Sequence, residues 1–432
     1  MMATMPYDAV LFDLDGTLTR SEEGILNCVR FALEKMGRDI PEDQVLHAFI
    51  GPPLHTSFSE ITGMNAQECD WAVELYRQRF STVGLYENAV YTGIRTLLKM
   101  LKGAGVWLGV ATSKPQVYTE RILEHFGLAK FFSAVSGTGA NEKDSSKTGL
   151  IKRALPERWQ HAAMVGDRRF DVEGAKGAGI AAIGAAYGYG SVEELQTAGA
   201  DRIAASVQEL TELLCPGEAL PRGFFLTVEG LDGSGKTTQV DLLEKRLAMW
   251  GYDVRRTREP GGCPISEKIR QVVLDIANVG MSPACEALLY AASRAEHVRE
   301  VIRPGVEKGM VVLCDRFVDS SIVYQGAGRQ LGVDLVASIN APAVDGMVPD
   351  CTVYLDIDHL EALRRRGKAS QLDRIEIEGA AFHERVALAY RQLAKDNADR
   401  YVTVDASRSP EEIGEEAFAA VRRRLEAMEG EQ

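Results

Sequence analysis

The chain has 432 residues, of which 45% are hydrophobic, and a formal net charge of −13. This length is enough for two or three domains with sizeable cores. The negative charge argues against a nucleic-acid polymer as partner, because proteins that bind polyanions need a basic surface.

Cysteine spacing and apolar runs narrow the class of protein further. The seven cysteines are scattered without a CxxC pair, so the sequence predicts neither a disulfide framework nor a zinc site. The N-terminal stretch lacks the basic and apolar regions of a signal peptide, and no apolar run approaches the ~20 residues of a membrane span. We therefore expect a reduced, cytoplasmic protein with no membrane partner.

The first predicted strand, residues 9–12, ends in two acids. Asp13 and Asp15 lie just beyond this apolar run. Open α/β sheets place their chemistry at the carboxyl ends of strands, and unpaired carboxylates are costly to bury. One of these carboxylates can attack phosphorus while the other protonates the leaving oxygen. A simple Asp-Gly turn would explain Asp15 but not Asp13.

A helical pattern then runs from residue 21 to about residue 85, with a break at Gly51-Pro52-Pro53-Leu54. The pattern predicts a helical insertion between the first strand and the next α/β unit. The next strand, residues 107–111, leads into Thr112. The Thr112 hydroxyl is placed either to donate to a phosphate oxygen or to cap a helix, and the residues leave both interpretations open.

A further strand, residues 162–165, leads into Asp167 and Asp171. These two acids are spaced to hold a cation on one side of a loop. The first half of the chain thus predicts acids at the ends of two strands of one sheet.

Four stretches of this half, in order, resemble the motifs of the haloacid dehalogenase superfamily of phosphatases: DLDGT, T-S-K after a strand, a lysine before a helix, and GDRRFD. The resemblance covers about residues 5–213 and implies a Rossmann-like sheet with a helical cap at about residues 19–88. It also implies Mg2+ as cofactor and a small phosphomonoester as substrate, either a 5'-nucleotide or phosphoglycolate. The roles it implies are nucleophile for Asp13, general acid/base for Asp15, phosphoryl binding for Thr112 and a lysine, and Mg2+ binding for Asp13, the Asp15 main chain, Asp167 and Asp171.

The lysine of the third motif is ambiguous, because Lys143 and Lys147 both precede the next helix. We prefer Lys147, since the apolar pattern of that helix starts just after it.

Two prolines and two glycines within residues 214–223 separate the halves. We predict a first domain at 1–215, a linker at 216–222 and a second domain at 223–432.

The second half is organised around Gly230 to Thr238, GLDGSGKTT, which lies between an apolar strand pattern and a helical pattern. The match to G-x-x-x-x-G-K-[ST] in this context predicts a phosphate-binding loop. Lys236 is expected to reach the β- and γ-phosphates of a nucleotide, and Thr237 to ligate Mg2+. The residues expected to hold the nucleotide, which the resemblance described below identifies as ATP, are Gly230, Leu231, Asp232, Gly233, Ser234, Gly235, Lys236, Thr237 and Thr238.

Two later strands, predicted at 252–257 and 311–314, end in Arg258-Glu259 and Asp315-Arg316. Strands that alternate with helices predict a parallel sheet with helices on both faces. An arginine beside an acid is often a structural ion pair, but its place next to a phosphate loop favours phosphate binding.

The stretches GLDGSGKTT, TREPGG, LLYAASRAEH, DRFVDSSIVYQGAGR and LDRIE make residues 224 to about 428 resemble a thymidylate kinase. The resemblance implies transfer of the ATP γ-phosphoryl group to dTMP, and a homodimer formed through this half. It implies that Asp232 binds the deoxyribose 3'-OH and that Arg258 and Arg316 bind the dTMP phosphate. It also implies that Tyr290 and Arg294 bind thymine and that Tyr324 excludes a 2'-OH.

Gly233 stands where some members of this family carry an arginine in the loop. The transferring phosphoryl group still needs a cation, so we expect a lid at about 363–376 to supply it. Arg366 and Arg374 are the leading candidates, and the sequence does not choose between them.

The main hypothesis is a bifunctional kinase and phosphatase. The alternative makes the N-terminal half a non-catalytic regulatory or docking module.

Overall fold

The computed structural model describes residues 5–50, 54–139, 146–366, 373–375 and 377–430. It divides into two compact units, Met1–Ala219 with Ala248–Gly251, and Leu220–Leu247 with Tyr252–Gln432. Each unit is built on its own parallel sheet.

The first unit contains a six-stranded parallel sheet in the order β5-β4-β1-β6-β7-β8, and a short antiparallel pair, β2-β3. Its strands are β1 Ala9–Phe12, β2 Thr19–Arg20, β3 Ala89–Val90, β4 Trp107–Pro115, β5 Ala134–Thr138, β6 Ala162–Gly166, β7 Ala181–Ala185 and β8 Arg202–Ala204. Phe12 lies opposite Val110 on one side and Val165 on the other. This register brings Asp13, Thr112 and Asp167 to one edge of the sheet.

The helices of this unit are α1 Glu22–Lys35, α2 Asp43–Leu46, α3 Leu54–Thr62, α4 Ala66–Arg79, α5 Ile94–Gly103, α6 Gln116–His125, α7 Lys147–Ala154, α8 Arg169–Ala178, α9 Val192–Ala198 and α10 Val207–Leu214. The first four lie between β2 and β3, so the antiparallel pair closes the ends of a helical insertion. A capping box starts α4, where the side chains and backbone N–H groups of Asn65 and Glu68 bond reciprocally. A π-helical turn, Phe80–Gly84, extends it.

The second unit contains a five-stranded parallel sheet in the order β10-β11-β9-β12-β13. Its strands are β9 Phe224–Gly230, β10 Val254–Arg258, β11 Val311–Asp315, β12 Cys351–Asp356 and β13 Tyr401–Asp405. Its helices are α11 Lys236–Met249, α12 Pro264–Leu274, α13 Pro283–His297, α14 Arg303–Glu307, α15 Val318–Ser321, α16 Val333–Val344, α17 His359–Arg366, α18 Ala380–Asp396 and α19 Pro410–Gly430. Every residue of β9 is buried, as expected of a central parallel strand.

The predicted fold class, α/β with two parallel sheets, is confirmed. Several boundaries differ from the sequence expectations. The strand expected at 107–111 extends to Pro115, and the strand expected at 252–257 spans Val254–Arg258. The short strands β5, β8 and β13 were not predicted. Among the described residues, no helix combines the length and apolarity needed to cross a membrane.

Candidate active sites

Three acids meet at the carboxyl edge of the first sheet. Asp13, Asp167 and Asp171 are buried, and each offers a carboxylate oxygen within 4.8 Å of the others. Gly16 allows the backbone after β1 to lie against Asp167. Its φ is +81°, and a Cβ at this position would lie 2.2 Å from Oδ2 of Asp167.

Lys147 neutralises part of this acidic cluster. It is the first residue of α7, whose N-cap Ser146 accepts a hydrogen bond from the Gly149 N–H at 3.1 Å. Its Nζ lies 2.6 Å from Oδ1 of Asp13 and 2.6 Å from Oδ1 of Asp171. Burial alone would lower the pKa of Lys147, but the two carboxylates outweigh burial and hold that pKa above its ordinary value. The other candidate, Lys143, lies outside the described residues.

The cluster carries more negative charge than Lys147 compensates. Burial raises the pKa of Asp13 to about 6, with Lys147 opposing the shift and Asp171 adding to it. Burial, then repulsion from Asp171 and Asp13, raises the pKa of Asp167 to about 8. Three convergent carboxylates are the hard oxygen ligands that Mg2+ prefers, and a divalent cation would balance their charge. These residues therefore fit a magnesium ion.

Asp15 pairs with Lys114, for which no role was predicted from the sequence. The Lys114 Nζ lies 2.8 Å from Oδ2 of Asp15, with only 8% of the Lys114 side chain exposed. The same ammonium lies 4.7 Å from the ring centroid of Phe80, in the helical insertion. Thr112 is buried, and its Oγ1 accepts a hydrogen bond from the Lys114 N–H at 3.3 Å. The sequence offered one signal for a role of Lys114, which is its position two residues after Thr112 in the stretch Thr112-Ser113-Lys114.

In the second unit, the glycine-rich loop joins β9 to α11. Its Gly233 has a φ of +88°, and a Cβ there would lie 2.2 Å from the carbonyl oxygen of Ala362 in α17. The absence of a side chain therefore lets α17, which ends in Arg366, approach the loop. The Lys236 Nζ donates to the carbonyl oxygens of Gly230 at 3.2 Å and Leu231 at 2.8 Å.

A cavity of about 480 Å3 opens beside this loop. Its volume is in the range of small-molecule sites. From the loop and α11 it is lined by Asp232, Gly233, Gly235, Lys236, Thr237 and Thr238. The predicted substrate residues Arg258, Tyr290, Arg294, Arg316 and Tyr324 all line it as well. One cavity is thus lined by six of the nine residues predicted to hold ATP and by the residues predicted to hold dTMP, whereas Gly230, Leu231 and Ser234 are not among its lining residues.

Arg316 and Asp232 both line this cavity and contact each other. An Arg316 Nη2 N–H and the Tyr324 hydroxyl both donate to the Asp232 carboxylate, the latter at 3.0 Å. Although burial would raise the pKa of Asp232, the charges of Arg316 and Lys236 hold it well below its usual range. Arg316 has a φ of +70°, in the left-handed region that glycine prefers.

Two predicted substrate residues already have protein partners. Arg294 is buried and makes four hydrogen bonds, which go to Glu259, Ser321, Asn340 and the Phe317 carbonyl. Arg258 is half-exposed, and its Nη2 lies 2.9 Å and 3.0 Å from the two carboxylate oxygens of Glu267.

The two candidate lid arginines occupy different environments. Arg366 lines the cavity. Arg374 is 2% exposed, its Nη1 lies 2.7 Å from Oε2 of Glu286, and its Nε donates to the Val273 carbonyl at 2.9 Å. Arg374 is therefore held in a buried ion pair, whereas Arg366 lines the cavity beside the phosphate loop. Residues 367–372 of the expected lid lie outside the described residues.

Comparison with known proteins assigns the halves separately. The family model described as Thymidylate kinase matches residues 228–417, and that described as Haloacid dehalogenase-like hydrolase matches residues 10–185. A thymidylate kinase from Halothermothrix orenii is 51% identical over 204 residues, which are 46% of this chain and 97% of that protein. One from Enterococcus faecalis is 48% identical over 203 residues, 46% of this chain and 96% of that protein. The crystal structure of a predicted phosphatase from Clostridium acetobutylicum is 44% identical, covers 48% of this chain and 97% of its own, and has a TM-score of 0.44.

Proposed function

We propose that this chain transfers phosphoryl groups at two separate sites. It belongs to the thymidylate kinase family through its C-terminal half and to the haloacid dehalogenase-like hydrolases through its N-terminal half. The family matches confirm both resemblances drawn from the sequence, and they support an enzyme that joins a thymidylate kinase to a haloacid dehalogenase-like hydrolase. The exact reactions, and the residues that carry them, are the proposal.

The C-terminal site phosphorylates dTMP with ATP and yields dTDP. The observation that carries this proposal is one cavity lined both by the phosphate loop and by Arg258, Arg316 and Tyr290. Lys236 and Thr237 hold the ATP phosphates and Mg2+, which together neutralise charge on the transferring group. Arg316 and Arg258 hold the dTMP phosphate, Asp232 accepts from the deoxyribose 3'-OH, and Tyr324 crowds the 2' position.

Thymine lies against Tyr290 in this arrangement. Hydrogen bonds to residues that the structure describes use four of the five Arg294 N–H donors, and the proposal assigns the fifth to the thymine edge. Incubation of the full chain with ATP, Mg2+ and dTMP should form dTDP, and a failure to form it would overturn this assignment.

The N-terminal site hydrolyses a small phosphomonoester. A carboxylate oxygen of Asp13 forms a bond to phosphorus as the ester P–O bond breaks, and Asp15 gives its proton to the leaving oxygen. Asp15 then takes a proton from the water that attacks the aspartyl-phosphate, which releases phosphate and restores Asp13. Lys147 and Thr112 hold the phosphoryl oxygens. Asp13, the Asp15 main chain, Asp167 and Asp171 would hold Mg2+, which supplies positive charge to the transferring group.

The observation that carries this proposal is the cluster of Asp13, Asp167 and Asp171 with Lys147 among them. A docking module has no use for buried like charges, which are costly to keep together, so the non-catalytic alternative is not favoured. A panel of 5'-nucleotides and phosphoglycolate should identify a substrate whose hydrolysis disappears in Asp13→Asn. We expect only weak hydrolysis of dTMP, because rapid hydrolysis would consume the acceptor of the kinase.

A further inference from the structure

Glu229 is a fully buried carboxylate one residue before the end of β9. Its exposure is 0%, and its partners are all donors: the Phe317 N–H at 2.7 Å, the Ser320 hydroxyl at 2.7 Å and the Tyr390 hydroxyl at 2.8 Å. Because Glu229 has no exposed surface, it does not touch a substrate. Its contacts are with residues that surround Arg316.

The backbone contacts hold the turn that carries Arg316. The Arg316 N–H donates to the Val228 carbonyl at 3.0 Å, and the next N–H, of Phe317, donates to Oε1 of Glu229. Arg316 has a φ of +70°, a conformation that is unfavourable for a non-glycine residue and persists only when the surroundings fix it. Two consecutive N–H groups tied to β9 provide that restraint.

The side-chain contacts set the direction of two hydroxyl groups. A hydroxyl has one hydrogen to donate, and Ser320 and Tyr390 give theirs to the Glu229 carboxylate when it is ionised. Their lone pairs then face the Arg316 Nη1, which lies 3.0 Å from Ser320 Oγ and 3.4 Å from the Tyr390 oxygen. Without an acceptor at position 229, the two hydroxyls, 2.9 Å apart, would bond to each other instead.

We propose that Glu229 is a positioning residue for the kinase site, which fixes the turn at Arg316 and orients Ser320 and Tyr390 so that the guanidinium faces the acceptor phosphate. The inference rests on the proposed role of Arg316 in binding dTMP. It adds a residue that acts only through Arg316 and its neighbours, without contact with the substrate.

The test compares Glu229→Ala and Glu229→Gln with the wild-type full chain. Alanine removes both the backbone anchor and the hydroxyl acceptor. Glutamine keeps an oxygen for the Phe317 N–H but presents an amide donor to the hydroxyls. We expect the KM for dTMP to rise about tenfold in Glu229→Ala and by an intermediate factor in Glu229→Gln, with the KM for ATP changed less than about twofold.

Thr227→Val is the matched control. Thr227 lies on the same face of β9, is fully buried and pairs with Thr352 at 2.8 Å between hydroxyl oxygens. The control should leave the KM for dTMP unchanged. A general loss of stability would reduce the active fraction, and hence kcat, without raising the KM for dTMP.

Calorimetric titration of dTMP without ATP gives a second readout, which separates the inference from the reaction. Weaker dTMP binding in both Glu229 variants would support the inference even if the wild type formed no dTDP, a result that contradicts the proposed reaction alone. Unchanged dTMP affinity and KM in Glu229→Gln and Glu229→Ala, or an equal rise in Thr227→Val, would overturn it. A wild-type chain that did not bind dTMP would overturn both proposals.

Discussion

The Lys147 Nζ lies 2.6 Å from Oδ1 of Asp13, a residue 134 positions earlier in the chain. The pair forms because α7 begins beside the sheet edge at which β1 ends. The contact places one cation against the proposed nucleophile, beside the site proposed for the phosphoryl group.

We predict that Lys147→Gln lowers phosphomonoester hydrolysis by at least about a hundredfold, because the transferring group loses a buried charge-assisted partner. Phosphate release at saturating Mg2+ measures it. The matched substitution is Lys143→Gln, which should keep most of the activity. A larger loss in the Lys143 variant would reverse the assignment.

Arg366 and Arg374 should fail in different ways. Arg366 lines the cavity, so Arg366→Ala should lower the kinase kcat by about 100-fold or more. Arg374→Ala removes one partner of the buried Glu286 and should lower the free energy of unfolding by about 2 kcal/mol. Steady-state kinetics and calorimetry on both variants separate the two effects. Equal kcat losses without destabilisation would contradict this division.

Gly233→Ala tests the close approach of α17 to the phosphate loop. The new methyl group would lie 2.2 Å from the Ala362 carbonyl oxygen unless α17 moved away, and α17 carries Arg366. We expect a loss of about tenfold or more in kcat. Gly346→Ala is the control, since its φ is +75° and a Cβ there meets nothing within 4 Å. Similar kcat losses in both variants would show that backbone strain, not the approach of α17, is responsible.

Glu229 should make the stability of the kinase unit depend on pH. Burial, then repulsion from Asp319, raises the pKa of Glu229 from its ordinary 4.5 to about 7. Between these values the unfolded chain has lost a proton that the folded chain keeps, so stability falls as the pH rises from about 4.5 to about 7, by on the order of 2 kcal/mol.

Glu229→Gln does not titrate, so its stability should change less over the same range of pH. Scanning calorimetry at pH 5 and pH 8 measures this change in stability. The unfolding transition to follow is the one whose melting temperature rises when dTMP is added. An equal pH dependence in the wild type and the variant would contradict the raised pKa.

Local patterns were enough to predict the parallel sheets and the acids at their edges. Asp13, Asp167 and Arg316 each follow a buried apolar run, and the register of parallel strands brings such positions together. The phosphate loop could also be predicted, because its glycines and Lys236 all lie within the short stretch from Gly230 to Lys236.

Residues whose role depends on distant partners were not predicted. Lys114 is explained by Asp15 and Phe80, and Glu229 by Ser320 and Tyr390, 91 and 161 positions away. Arg374 lies in a charged stretch that suggests a solvated lid, yet its pairing with Glu286 buries it. Spacing along the chain carries no signal for such contacts.

The central claim is that one chain carries two independent phosphoryl-transfer sites. The direct test measures dTDP formation and phosphomonoester hydrolysis in Asp13→Asn and Lys236→Met, both as full-length chains. We predict that Asp13→Asn loses hydrolysis and keeps kinase activity, and that Lys236→Met shows the reverse. Hydrolysis that persisted in Asp13→Asn, or dTDP formation that persisted in Lys236→Met, would contradict the account.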